Sequence, residues 1–264
     1  MPDIQTSLEY LKDLPLYGLE KPYYCLQPAD DGLDPDEGGC HNLEFEIHTN
    51  IPIKDIRGYE DEYRLEDCGF EVLSYTSEVP NLESVDEIES PEVIAQYRAD
   101  TERLLRAKLG ACFVRCYDSI LRKNVVFNRT RFDIRDPLHT EGPAQGAHND
   151  VTYKSGPEII SRNMKAEEQE EFLRPGNRVR IVNTWRSILP VLEDRPLALC
   201  DSRSVEASDL VACDRIIPDR VGEVYYLKHN PNHKWYWLSG QTSTEPFAFV
   251  ILSSRFFSQP TSTP

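Results

Sequence analysis

The 264-residue sequence predicts a mainly β fold with flanking helices, a double-stranded β-helix (jelly-roll) barrel. Three observations lead there. Apolar and polar residues alternate along many short runs; only one long helical pattern lies among the later runs; and the strict strand–helix alternation of a doubly wound sheet is missing. A barrel of this length is commonly one domain with one core. We therefore expect a single domain over 1–264: an arm over 1–42, the barrel over 43–254 with helices at 91–109 and 154–173, and a short tail over 255–264.

Taken in order, residues 7–19 mix apolar and charged positions as a short helix does. Pro22, Pro28 and Pro35, with the Asp30-Asp31-Gly32 and Gly38-Gly39 clusters, then impose irregular chain. Strict alternation over 43–48 predicts a strand, partly repeated over 51–56 after a turn. The acidic stretch 60–89 reads as solvated loops. Ser90 followed by Pro91 and Glu92 starts a helix: a capping residue, a proline suited to the first turn, and an acid at the positive end of the dipole. Val93, Tyr97, Thr101, Leu104 and Leu105 share one of its sides, and Gly110 stops it. Strands are expected at 111–117 and 125–127. A loop over 136–146 leads into a strand at His148, and the run 154–173 reads as one helix ended by Pro175 and Gly176. Further strands are expected at 178–185, 197–200, 223–227, 235–238 and 247–252.

Composition narrows the function. A net charge of −16 and a pI near 4.8 oppose binding to a phosphate backbone, so nucleic acid is not an expected partner. The seven cysteines form no CxxC or zinc-like pattern and read as thiols in a reducing compartment. No apolar run of 18 residues and no leader-like N-terminus appear, which predicts a cytoplasmic protein without a membrane partner. No Gly-x-Ser-x-Gly elbow or phosphate loop supports nucleophilic or nucleotide-dependent chemistry.

Metal chemistry has a positive signal in Ala147-His148-Asn149-Asp150-Val151-Thr152. On an extended chain His148, Asp150 and Thr152 point the same way, which is half of a 2-His-1-carboxylate triad for ferrous iron. The triplet alone is weak: six histidines and 45 acids predict about one His-x-acid by chance, and His139-Thr140-Glu141 is a second. A third ligand has to come from a distant strand. His229 and His233 are the late candidates, and Pro231 between them keeps the two off one metal. Of these, His233 opens the aromatic strand and can turn inward or remain in an exposed turn. An iron site using 2-oxoglutarate also needs a cation for the distal carboxylate, to which the planar arginine fork is suited. Arg178, Arg180 and Arg186 share one strand face, either toward the cavity or as a solvated row, and Trp185 points the other way.

Read together, the segments around His148, Arg178-Val179-Arg180-Ile181-Val182-Asn183-Thr184-Trp185-Arg186, Pro196 to Val205, Asp209-Leu210-Val211 and Gly222 to Tyr236 resemble the fungal hydroxylase/desaturase family. That family includes proteins of the aspergillic-acid type and relatives of gibberellin desaturases and cephalosporin methoxylation proteins. Ile56 to Glu60 and Cys68-Gly69-Phe70 fit the same pattern. The resemblance implies a non-haem Fe(II)/2-oxoglutarate-dependent oxygenase acting on a small-molecule intermediate of fungal secondary metabolism. His148 and Asp150 match its ligand pair. The family pattern continues with a further histidine and an arginine, whereas no histidine follows His233 here. This leaves His233 or water to complete the iron site, and Arg255 or the arginine row to anchor 2-oxoglutarate, or else implies a truncated, weakly active relative. The alternative is a catalytically degenerate barrel that binds a small molecule or a protein partner.

Overall fold

The computed structural model describes residues 3–25, 41–77, 88, 90–125, 136, 138–144, 146–217 and 219–255. Strand β1 (Ile4–Leu11) is followed by a 3-10 turn at Pro15–Gly18 and by β2 (Tyr23–Cys25). The helix expected over 7–19 is thus a strand and a turn. Gln5 and Ser7 face water, while Leu8 and Tyr10 pack with Ile53, Leu227 and Trp235, a period of two that only an extended chain satisfies. The stretch expected as an arm over 1–42 gives two strands to the sheets, and its middle, 26–40, lies outside the described residues.

The two strands expected over 43–56 are one, β3 (Phe45–Asp55), antiparallel to β1. The expected turn between them is a bulge. Thr6 pairs with Ile51 and Leu8 with His48, so Thr49 and Asn50 together oppose Ser7, and Asn50 takes a φ of 60°. Asparagine tolerates that left-handed backbone better than most residues, which is why the strand survives it.

After β4 (Phe70–Val72), helix α1 spans Pro91–Leu109 and ends on Gly110 at φ 57°. Leu105 packs with Leu65, Leu73 and Ala248; Ile94 and Asp100 are also buried, so the inner face is wider than the apolar stripe alone. No strand forms over 111–117: the Cys116 N–H donates to the Glu102 carboxylate at 2.8 Å instead of to a neighbouring strand. Of the strand expected over 125–127, only Val125 is among the described residues. Two short pieces follow, β5 (Leu121–Arg122) and β6 (Thr140–Glu141), and then β7 (His148–Asn149).

The helix expected over 154–173 is broken into α2 (Gly156–Arg162) and α3 (Ala166–Phe172). The break has its own hydrogen bonds. The Asn163 carboxamide donates to Ile159 O, Gln169 donates to Ser161 O and Met164 O, and the Glu168 carboxylate accepts the Lys165 N–H at 2.7 Å to start the second helix. A Cβ on Gly156 would lie 2.3 Å from Leu252 Cδ2, so glycine lets α2 approach closely.

The remaining strands are β8 (Arg178–Trp185), β9 (Leu199–Cys200), β10 (Leu210–Ile217), β11 (Arg220–Leu227), β12 (Trp235–Trp237) and β13 (Phe247–Arg255). They assemble as sheets β1-β3-β12-β9, β2-β10-β11-β7 and β4-β13-β8, with β5-β6 as a separate pair. One residue of β13 is extra: Val250 pairs with Val182 and Leu252 with Ile181, leaving Ile251 bulged. The apolar faces meet in clusters around Ile56, Phe70, Leu238 and Phe247, and around Val151, Ile160, Ile181 and Leu252. No helix among the described residues is long and apolar enough to cross a membrane.

Candidate metal centre

The short strand β7 sits where the three larger sheets meet. The Ala147 N–H donates to Glu9 O of β1 at 2.8 Å, and Ala147 O accepts from Leu227 N of β11 at 2.9 Å. His148 and Asn149 pair with Tyr226 and Tyr225, and the Asn149 carboxamide donates to the carbonyl of the bulged Ile251 at 3.1 Å. Gly146 precedes this segment at φ 67°, and a Cβ there would lie 2.7 Å from Phe45 Cε1. Any other residue would strain the backbone and strike the ring.

His148 Nδ1 lies 2.8 Å from Gly146 O. A carbonyl only accepts, so Nδ1 carries the proton and Nε2 is turned toward Asp150, 3.3 Å from Oδ1. The other carboxylate oxygen, Oδ2, accepts from Asn183 Nδ2 of β8 at 2.7 Å. Side-chain exposure is 26% for His148 and 49% for Asp150, so both can be reached from solvent. Burial opposes charging of His148, yet hydrogen bonding and attraction to Asp150 outweigh it and raise its pKa. The same holds in mirror image at Asp150, where burial is outweighed by His148 and Asn183 and the pKa falls. Tyr226 lies 6.0 Å from the His148 ring, centroid to centroid. Tyr24 and Tyr117, both pushed up to about 12 chiefly by burial, also feel the Asp150 charge. Tyr226 thus stands as the aromatic neighbour of the His148–Asp150 pair.

Thr152 does not share this face. Strand geometry ends at Asn149, and Thr152 is fully buried, engaging Ser155 and the Glu223 carboxylate, which Lys21 also pairs. In the second triplet, His139 Nε2 stands 4.0 Å from Glu141 Oε1.

The structure brings His148 and Asp150 together and keeps His233 apart. His233 is buried, with Nε2 3.1 Å from Asp209 Oδ2 and its ring stacked 6.0 Å from Tyr10. All six histidines are among the described residues. No group of three His, Cys, Asp or Glu side chains able to hold a metal ion occurs among the described residues.

The arginines are committed elsewhere as well. Arg178 and Arg180 do share a face, where both pair with Glu66, with Arg178 Nη1 2.7 Å from its carboxylate. Arg186 lies past the strand end, stacked 4.4 Å over the Tyr97 ring and 3.5 Å from the buried Asp100. Asn183, on the opposite face of β8, reaches Asp150. Its signal was present in the strand alternation that set the arginine row aside.

Across residues 8–260 the chain matches the model of a family described as oxidoreductase/YMDC permease-like domain. The chain belongs to that family. Among relatives of this oxidoreductase-family chain is the hydroxylase/desaturase efuI of Hormonema carpetanum, 28% identical over 96% of this chain and 84% of that protein. The alpha-ketoglutarate-dependent dioxygenase tstK of Talaromyces stipitatus is 27% identical over 89% of this chain and 85% of its own. Among solved structures, the iron and alpha-ketoglutarate-dependent endoperoxidase NvfI superposes with a TM-score of 0.75 at 21% identity, covering 96% of this chain and 85% of that one. The mainly β family fold is thus of the jelly-roll type that NvfI carries.

Proposed function

We propose that this chain is a non-haem Fe(II)/2-oxoglutarate-dependent oxygenase, a hydroxylase or desaturase acting on a small molecule of fungal secondary metabolism. One observation carries the reading: His148 Nε2 and Asp150 Oδ1 face each other at 3.3 Å with their outer atoms already fixed by Gly146 O and Asn183. That donor pair fits a ferrous ion, because imidazole and carboxylate are two of the three donor positions such sites use, and their supporting partners hold the ring and carboxylate in the binding orientation. Bound there with 2-oxoglutarate, iron would supply the oxidising chemistry, dioxygen reduction coupled to decarboxylation of the 2-oxo acid.

The chain's own residues do the rest. Gly146 O keeps the Nδ1 proton in place, Asn183 orients Asp150, and Tyr226 restricts water on one side of the pair. We assign His148 and Asp150 as the residues that would hold the ion and leave His233 with Asp209. We take residues 1–264 as one oxygenase unit working in the cytoplasm. The net charge of −16 supports a small-molecule partner over nucleic acid.

Anaerobic Fe(II) titration with and without 2-oxoglutarate tests this reading. We expect one ferrous ion bound and a weak visible charge-transfer band, both lost in His148→Ala and Asp150→Ala. A purified chain that retains no iron and shows no band would overturn it. The second reading, a degenerate barrel that binds without catalysis, is favoured by the engagement of His233 with Asp209, and the same titration separates the two.

A further inference from the structure

Glu9 of β1 carries an unused carboxylate oxygen next to the segment that bears His148. Its backbone is fixed there, because Glu9 O accepts from the Ala147 N–H at 2.8 Å, one residue before His148. Side chains alternate along a strand, so Glu9 takes the same face of β1 as Leu11. Ladder pairing sets Ile47 beside Glu9 and Phe45 beside Leu11 on that face. The Phe45 ring lies 5.1 Å from Tyr226 and closes on Gly146. Tyr226 in turn pairs with His148 across the ladder, and the two rings stand 6.0 Å apart. Glu9, Ile47, Phe45 and Tyr226 therefore form one continuous face leading to the His148–Asp150 pair. The Glu9 charge also reaches Tyr226, whose pKa burial raises.

Exposure changes sharply along this face. Gln5 and Ser7 meet water and Leu11 is fully buried. Glu9 stands at the transition, where its Oε2 is buried with no hydrogen-bond partner among the described residues. A buried carboxylate oxygen without a donor is costly, and few are left so by folding alone. Beside it Ile47 is 68% exposed, an apolar side chain held at the surface with two aromatic rings beyond. Apolar area for a ligand body and one acceptor for its polar end are the parts of a small-molecule site.

We infer that Glu9 receives the protonated amine of a small-molecule substrate whose apolar body lies against Ile47, Phe45 and Tyr226. This names a substrate class for the oxygenase proposed above and rests on that reading. An ammonium supplies the missing donor together with charge, and the bond strengthens where water is excluded. A hydroxyl supplies the donor alone, and a carboxylate is repelled. The net charge of −16 also favours a cationic ligand. Glu9 is then a specificity-determining residue, separating amines from neutral analogues of the same shape.

Calorimetric titration with 2-phenylethylamine and 2-phenylethanol, which share a skeleton and differ in the charged donor, tests the assignment without turnover. We expect wild-type chain at pH 7 to bind the amine about 10-fold or more tightly than the alcohol. Glu9→Gln should remove that preference while leaving the alcohol unchanged, and Glu9→Asp should keep part of it. Glu46→Gln removes the same charge from the other face of the neighbouring strand and should keep all of it, which separates a local contact from the overall charge. Because the comparison is a ratio of two ligands on one protein, a general loss of stability does not imitate the result, and Glu9→Asp supplies it if Glu9→Gln does not fold. Wild-type chain that binds the amine no more tightly than the alcohol, or an unchanged ratio in Glu9→Gln, would overturn the assignment; ferrous binding with its charge-transfer band would then leave the oxygenase reading standing. A chain that retains no iron yet keeps a Glu9-dependent preference for the amine would overturn the oxygenase reading and leave Glu9 as the amine-binding group.

Discussion

Asn183 of β8 donates to the outer oxygen of Asp150 at 2.7 Å, joining a strand of one sheet to the donor pair carried by another. A ligating carboxylate held this way loses one rotational freedom before the ion arrives. Asn183→Ala should therefore lower ferrous affinity by about 10- to 100-fold, a loss typical of supporting partners of metal ligands. Asn183→Asp should do more, because it sets a second carboxylate against the first. Fe(II) titration beside a melting curve checks this; equal affinity in both variants would remove Asn183 from the site.

Replacement of His233 should separate stability from metal binding. Its Nε2 partners Asp209, which is only 8% exposed, so His233→Ala leaves a buried carboxylate short of a partner. We expect a loss of about 1–3 kcal/mol in urea unfolding with ferrous stoichiometry unchanged. Loss of the ion in this variant would instead restore His233 as a ligand.

Gly146→Ala combines two penalties, a φ of 67° and a Cβ 2.7 Å from the Phe45 ring. Strain of this kind costs on the order of 1–3 kcal/mol. Gly146 O also anchors His148 Nδ1, so the variant should lose metal affinity along with stability. Thermal melts with and without Mn(II) read both effects, and a smaller ligand-induced shift is the expected result.

Acid should unfold the chain through its buried and half-buried carboxylates. Burial works against ionisation of Asp201, Asp209, Glu223 and Glu245, but Arg203, the Glu206 N–H with Asn230 and His233, Lys21 with Thr152, and Arg57 with Thr242 respectively outweigh it, so all four pKa values fall. For a carboxyl with a depressed folded value, the stability is complete above the unfolded pKa of about 4 and is lost as pH drops through the folded value. The urea midpoint should be level in this respect from pH 7 to about 5 and decline below about 4. A midpoint that rises on acidification would contradict these ion pairs.

Much of the architecture was legible wherever a local rule acts alone. Pro91 and Gly110 marked the ends of α1, where Ser90 holds the cap position without a side-chain cap bond, and alternation marked β8, because helix-end preferences and face segregation are local effects. The errors arose where side chains far apart in sequence decide. Residues 7–11 became part of a strand because β3 was there to pair with, and 154–173 broke because Asn163 and Gln169 capture carbonyls that a continuous helix would use. Near β7, the approach of His148 to Asp150 was readable from their spacing. The place of Thr152 was not, since the strand stops at Asn149, and no pattern in the chain announces that Glu66 lies across from Arg178 and Arg180. Asn183 was readable in principle, as the odd-numbered face of β8 that the arginine row left vacant.

The anchoring of β7 on three sheets bears on when the chain becomes able to hold an ion. Glu9, Leu227 and Ile251 all grip residues 147–149, and each lies far from them along the chain. Closing such distant contacts is slow, because the entropy of the intervening loops is lost before the contacts repay it. The placement of His148 and Asp150 therefore depends on contacts closed across most of the chain. A chain in which those contacts are open holds no ordered His148–Asp150 pair, so the geometry of the pair reports on closure of all three sheets.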